Sequence, residues 1–122
     1  MSGVRQRIAR VLAVEGVPCG DALDRFRHAR GVAVAAADAG LAMERCVEVA
    51  LVAAEMVDEL LQGGGGTLHV LAERGAIELC CVGRGERHTT SRITWSARWW
   101  GARQTATLQR GGGVIFYARF EV

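Results

Sequence analysis

The stretch VEVALVAAEMVDELLQGGGG, residues 47–66, decides the fold class. Extended back to Ala42, its Cys46, Val49, Ala53, Met56 and Leu60 recur at steps of three and four, which places them on one buried stripe of an α-helix. Ala50, Ala53 and Ala54 would let another element approach closely. Glu44, Glu48, Glu55, Asp58 and Glu59 fall off that stripe, and taken singly they read as a solvated face. Gly63–Gly66 then break the helix outright, because glycine is costly in a helix and free to adopt the left-handed conformations of a helix exit.

Downstream, the hydrophobic period changes from helical to alternating. TLHVLAE (67–73) and AIELCCV (76–82) flank Arg74-Gly75, a two-residue turn with glycine where a positive φ is wanted, so they form a hairpin. RQTATLQR (103–110) and VIFYARFEV (114–122) form a second hairpin around residues 111–113. Between them, residues 86–101 read as a loop and a short helix through SRITWSARWWG. Upstream, RIARVLAVE (7–15) is apolar and β-branched enough for a strand, stopped by Gly16-Val17-Pro18. Asp21 is placed to cap the next helix. There Leu23, Phe26, Arg30, Ala33, Val34 and Ala37 form the stripe, while Arg25, Arg27 and His28 lie off it in solvent, and Gly40 ends the run.

The order strand, helix, helix, hairpin, short helix, hairpin predicts one α+β domain over residues 1–122. Its expected form is a two-layer sandwich: a mainly antiparallel, mixed five-stranded sheet with three helices packed on one face.

Composition narrows the function classes. At 122 residues the chain can bury a core without disulfide or metal staples. No apolar run approaches the roughly 18 residues of a membrane span, and the start of the chain has no apolar signal core. The expectation is a cytoplasmic protein with reduced thiols. All 15 basic residues are arginine, and there is neither lysine nor asparagine, so no lysine nucleophile or asparagine amide is available. Cys19, Cys46, Cys80 and Cys81 include no C-x-x-C pair, and the neighbours Cys80 and Cys81 would point to opposite faces of a strand, so no metal site is expected. His69, on a strand, reads as an ordinary satisfied side chain. Residues 1–82 carry a net charge of −3 and residues 83–122 one of +5. Nucleic-acid binding through that arginine-rich third is disfavoured by a sequence pI near 8.5, below the range of such modules.

In this order, the chain resembles the GHKL (histidine-kinase-like) ATPase fold, and within it the small anti-sigma-factor serine/threonine kinases of bacterial partner-switching systems. The likeness runs over about residues 27–82 and, more weakly, 99–122. It is carried by ARGVAVAAADAGL, by VEVALVAAEMVDELLQGGGGTLHV with its glycine exit, by ERGAIELCCVGRG in place of the first glycine box, and by the closing hairpin GARQTATLQRGGGVIFYARF.

The resemblance implies a nucleotide helix whose Glu polarises the attacking group and whose Asn, four residues on, holds Mg²⁺. Here those positions are Glu55 and Glu59. The family's first glycine box opens on an Asp that reads the adenine amino group; here that position is Cys81, followed by Gly83 and Gly85. The family also needs a nucleotide lid and a second glycine box, for which GERHTTSRITWSAR (85–98) is too short and has no Gly-x-Gly. The expectation is therefore a degenerate, non-catalytic member with a vestigial site at Glu55, Glu59, Cys81, Gly83 and Gly85, with no ATP or Mg²⁺ as cofactor and no metal. The alternative is a divergent ATP-dependent serine/threonine kinase with Glu55 as base and Mg²⁺ at Glu59. The resemblance implies protein partners: a STAS-domain antagonist, a sigma factor, or a second copy in a homodimer. Arg84, Arg87, Arg92, Arg98, Trp99 and Trp100, with Arg103 and Trp95 beside them, are the candidate partner-binding residues, since Trp and Arg are over-represented at binding hot spots. Trp95 and Trp99 have an equal claim to a place in the core, and the adjacent Trp99 and Trp100 cannot both face the same way.

Overall fold

The computed structural model describes residues 2–84, 96–111 and 113–122, the side chains of Ser2 and Arg110 excepted. The elements are α1 (Ser2–Leu12), β1 (Val17–Cys19), α2 (Asp24–Asp38), α3 (Met43–Gln62), β2 (Gly66–Glu73), β3 (Ala76–Arg84), β4 (Gln104–Arg110) and β5 (Gly113–Glu121). A single helical turn at 96–99 precedes β4. The strands form one five-stranded sheet in the order β1-β2-β3-β5-β4, with every neighbouring pair antiparallel. The fold is α+β, as the sequence predicts.

Strand alternation divides the sheet into two faces. Leu68, Leu79, Cys81, Phe116, Ala118 and Phe120 pack against Val49, Ala53, Met56 and Leu60 of α3 and Val32 and Ala36 of α2. Ala97 of the helical turn joins the same core. The helices expected from sequence thus share one face. A further helix covers the other: Ile8 and Val11 of α1 pack on Cys80, Ile115 and Tyr117.

That further helix corrects the reading of residues 7–15 as a strand. Val4, Ile8, Val11 and Leu12, spaced three and four apart, are the residues that reach the sheet. The fifth strand is instead the three-residue β1, in the segment read as a stop. Pro18 is tolerated there because β1 is an edge strand, paired only with β2.

Helix α2 also turns a different side to the core than its stripe predicts. Val32 and Ala36 are buried, whereas Leu23, Phe26 and Val34 are 54%, 65% and 57% exposed. Asp21 stands one turn earlier than a cap of this helix, its Oδ1 accepting the Leu23 amide at 2.8 Å, and the Asp24 carboxylate reaches back to accept the Gly20 and Asp21 amides, both at 3.0 Å. These bonds, with His28 and Arg27 beside it, hold the Asp24 carboxyl below the usual carboxylate range. His28 is not solvated; its ring Nε2 donates to the Pro18 carbonyl at 2.9 Å and ties α2 to β1.

The glycine exit is as abrupt as the sequence indicates. Gly64 and Gly65 take φ of +102° and +98°, a left-handed region closed to most side chains. The Gly65 amide donates to Leu60 at 2.7 Å, which closes α3 and turns the chain directly into β2. Gly66 is needed for a second reason: a Cβ there would press on the Val82 carbonyl oxygen and on Leu60 Cδ2.

Candidate functional site

The residues given nucleotide-site positions by the resemblance gather at one end of the sheet. Glu55 and Glu59 lie one turn apart on the C-terminal half of α3, each half-buried. Across from them, β3 presents Cys81 toward α3 and ends on the buried Gly83. The Arg84 amide donates to the Gly65 carbonyl at 3.1 Å, so the helix exit and the end of β3 are joined backbone to backbone. Gly85 lies outside the described residues.

Cys81 is 4% exposed. Burial pushes its thiol up to about 12, with the Cys80 and Cys19 thiols and the Glu59 carboxylate adding to the shift against the Phe116 backbone. The fold therefore brings Glu59 within electrostatic reach of Cys81. The Cys81 thiol therefore stays un-ionised at neutral pH. A thiol is a weak hydrogen-bond acceptor and cannot fix an amino donor as a carboxylate would. Cys19, on the edge strand, is held up to about 11 by burial and by Asp24. These are inert buried thiols rather than nucleophiles. Among the described residues no cluster of His, Cys, Asp or Glu is arranged to hold a metal ion.

The described candidate partner-binding residues do not form one patch. Arg84 ends β3 at the glycine-exit end and pairs in register with Gly113. Trp100 and Gly101 lie beside the first half of α3, where Arg45 donates from Nη1 to the Trp100 carbonyl and from Nη2 to the Gly101 carbonyl, both at 3.1 Å. Arg103, next in the chain, pairs with Glu121 at the opposite end of the sheet from Arg84. The eight-residue step along β3 separates the two ends by roughly 25 Å. Trp99 is 68% exposed and Trp100 packs half-buried on the main core, so the adjacent pair splits as expected. Arg98 is exposed beside Trp99. Arg87, Arg92 and Trp95 lie outside the described residues.

His69 is satisfied, as the sequence reading has it. Its Nδ1–H donates to the Val14 carbonyl at 2.8 Å, which leaves Nε2 to accept from the Thr67 hydroxyl at 3.1 Å.

One polar cluster was not legible in advance. Glu78, 1% exposed, sits on the α1 face of the sheet. The Tyr117 hydroxyl donates to its Oε1 at 2.5 Å, and Arg119 Nη1 lies 3.3 Å from the same oxygen. Arg119 also donates from Nε to Glu121 at 2.7 Å. Burial and then the bond to Glu78 raise the Tyr117 hydroxyl well above the ordinary tyrosine range. Only the isolated acid in AIELCCV and the isolated arginine in YARFE hinted at it, and neither identifies its partner. The cluster ties β3 to β5 on the face that α1 covers.

Comparison with protein-family models and with curated protein sequences gives no match to this chain. Among the described residues no helix is long and apolar enough to cross a membrane.

Proposed function

We propose that this chain is a degenerate GHKL-type protein: a non-catalytic, anti-sigma-kinase-like regulator that acts in the bacterial cytoplasm by binding another protein. The observation that carries this reading is the Glu59–Cys81 pair. Where the resembled kinases hold Mg²⁺ with an amide, a carboxylate adds negative charge beside the phosphates. Where they read adenine with a carboxylate, a thiol that burial pushes up to about 12 offers only a weak acceptor. Losing one such buried hydrogen bond costs about 1–3 kcal/mol of binding. The short segment 85–98, with no second Gly-x-Gly, adds to the same conclusion.

A protein-binding role needs shape and charge instead. The exposed Trp99 and Arg98 supply the residue types of a hot spot, standing on a turn that Arg45 fixes to α3. The partner class that fits the resemblance is a STAS-domain antagonist or a sigma factor.

The test is a binding titration of the purified chain with a STAS-domain protein and a sigma factor from the same genome, with and without ATP·Mg²⁺. The expected result is binding to one of them that is indifferent to nucleotide, weakened at least tenfold by Trp99→Ala or Arg98→Glu, and accompanied by no phosphate transfer. Phosphorylation of the partner, or binding to neither, would overturn the proposal.

A further inference from the structure

The sheet has an open stretch at one edge. Strand β2 pairs with β3 along its whole length, Gly66–Glu73, but β1 covers only residues 66–68 of it. Pro18 has no N–H and stands opposite Thr67, so the β1–β2 bonds run through the flanking pairs, Val17 with Leu68 and Cys19 with Gly66. The Arg84 amide, bonded to the Gly65 carbonyl at 3.1 Å, gives the same alternation from the β3 side. Beyond Leu68, the N–H and C=O of Val70 and of Ala72 therefore point to the edge that β1 leaves uncovered. Among the described residues none bonds to these four groups. Val70 is half-buried and Ala72 exposed, so the edge is accessible.

Helix α2 runs beside this edge and leaves a hollow of about 280 Å³ between them. Gly31 and Ala35 of α2 and Val70 and Ala72 of β2 border it. It has room for an apolar side chain, and falls below the roughly 300–1,000 Å³ of small-molecule sites. Gly31 keeps the hollow open. A Cβ there would meet nothing within 4 Å, so packing inside the chain does not require glycine, although glycine weakens a helix interior.

Charge gives the edge a direction. Arg27 borders the hollow together with Val17, at the end nearest β1. It touches Asp24 only through Nη1, at 3.5 Å, and its side chain is 63% exposed, which leaves the rest of the guanidinium open to a second carboxylate. The row that an added strand would fill is occupied from Val17 onward. A strand running antiparallel to β2, like every other pairing in this sheet, would meet β1 with its C-terminal end, beside Arg27.

We propose that the β2 edge and the α2 hollow together bind the C-terminal tail of another protein. The tail adds a short antiparallel strand opposite Val70 and Ala72 and bonds to their free backbone groups. An apolar side chain of the tail enters the hollow beside Gly31, and the terminal carboxylate pairs with Arg27. The surface is separate from Trp99 and Arg98 and owes nothing to the loss of nucleotide binding.

The experiment is selection on the full chain from a library of random peptides displayed with free C-termini, followed by fluorescence polarisation of the selected peptides made synthetically. Selected tails should carry apolar residues at alternate positions and bind at micromolar concentration. Amidating the peptide C-terminus and Arg27→Glu should each weaken binding at least tenfold. Gly31→Leu fills the hollow and should weaken binding at least tenfold while melting at or above the wild-type temperature, since leucine is the better helix former. Ala72→Pro removes an edge N–H without breaking a bond to β3, and should weaken binding as much. No tail enriched over an empty support, amidated peptides that bind as tightly as the free acids, or undiminished binding to Gly31→Leu and Ala72→Pro would overturn the proposal. So would wild-type dimers in sedimentation velocity that these two substitutions dissolve, because a second copy would then occupy the edge.

Discussion

Removing one oxygen atom, in Tyr117→Phe, should destabilise the protein more than most larger changes on its surface. Glu78 is taken out of water beneath α1, where it accepts from the Tyr117 hydroxyl at 2.5 Å and forms an ion pair with Arg119 Nη1 at 3.3 Å. Phenylalanine keeps the ring and so leaves the packing against Ile8 and Val11 in place. What is lost is a hydrogen bond to a charged, buried acceptor, which is worth about 1.5–3 kcal/mol. For a domain of this size a loss near 2 kcal/mol lowers the melting temperature by about 6–12 °C. Urea unfolding followed by tryptophan fluorescence reads it as a shift in midpoint at constant slope. Replacing the acceptor as well, in Tyr117→Phe/Glu78→Met, should recover most of the loss, because removing both polar partners leaves nothing unsatisfied; Arg119 keeps its bond to Glu121. A Tyr117→Phe variant within about 0.5 kcal/mol of wild type, the range of an ordinary surface substitution, would refute the reasoning.

Three further outcomes follow from the same geometry. Gly66→Ala should cost about 1–3 kcal/mol, since its methyl meets the Val82 backbone rather than a movable side chain, whereas Gly31→Ala, in open space, should stabilise the protein by roughly 0.5–1 kcal/mol; paired urea melts check both. Cys80 and Cys81 are pushed up to about 12 and Cys19 to about 11 from 9.0, so the folded state keeps protons that the unfolded chain releases. Stability is then full below about pH 8 and declines as pH rises from 9 toward 12, by about 1.4 kcal/mol per pH unit for each thiol involved, and denaturation midpoints that stay flat to pH 10.5 would contradict it. Trp100→Ala should lower stability by about 1.5–3 kcal/mol and Trp99→Ala by no more than about 0.5, a difference that thermal melts resolve directly.

Where the hydrophobic period had one interpretation, the sequence was sufficient. The stripe Cys46, Val49, Ala53, Met56 and Leu60 has no apolar rival as strong on its helix, and all five residues are buried. Arg74-Gly75 is turn chemistry between alternating segments, and β2 and β3 pair across it from Glu73 and Ala76; the second hairpin also forms, but its ladder runs to Arg110 and Gly113, so Gly113 belongs to the strand and not to the turn.

The misread helices share a cause: apolar residues that fit more than one pattern. Helix α2 carries Val32 and Ala36 on one side and Val34, Ala33 and Ala37 on the other, and periodicity cannot choose between them. RIARVLAVE is rich in β-branched residues, and its helical spacing shows only when Val4 is counted with Ile8, Val11 and Leu12. The strand β1 is three residues long and exists through its pairing with β2, so it has no period to read. At the site, the proximity of Glu59 to Cys81 follows only from the packing of α3 on β3. The link between Glu78 and Tyr117 spans 39 residues and left no local signal.

The claim that the nucleotide site has lost its chemistry is tested most directly by thermal unfolding in ATP·Mg²⁺. A ligand at a hundredfold its dissociation constant stabilises the folded state by about 2.7 kcal/mol, which for this chain is a rise of roughly 8–16 °C. The account predicts no saturable rise at millimolar ATP·Mg²⁺, either in wild type or in Glu55→Ala. A rise that saturates with nucleotide and disappears in Glu55→Ala would contradict it.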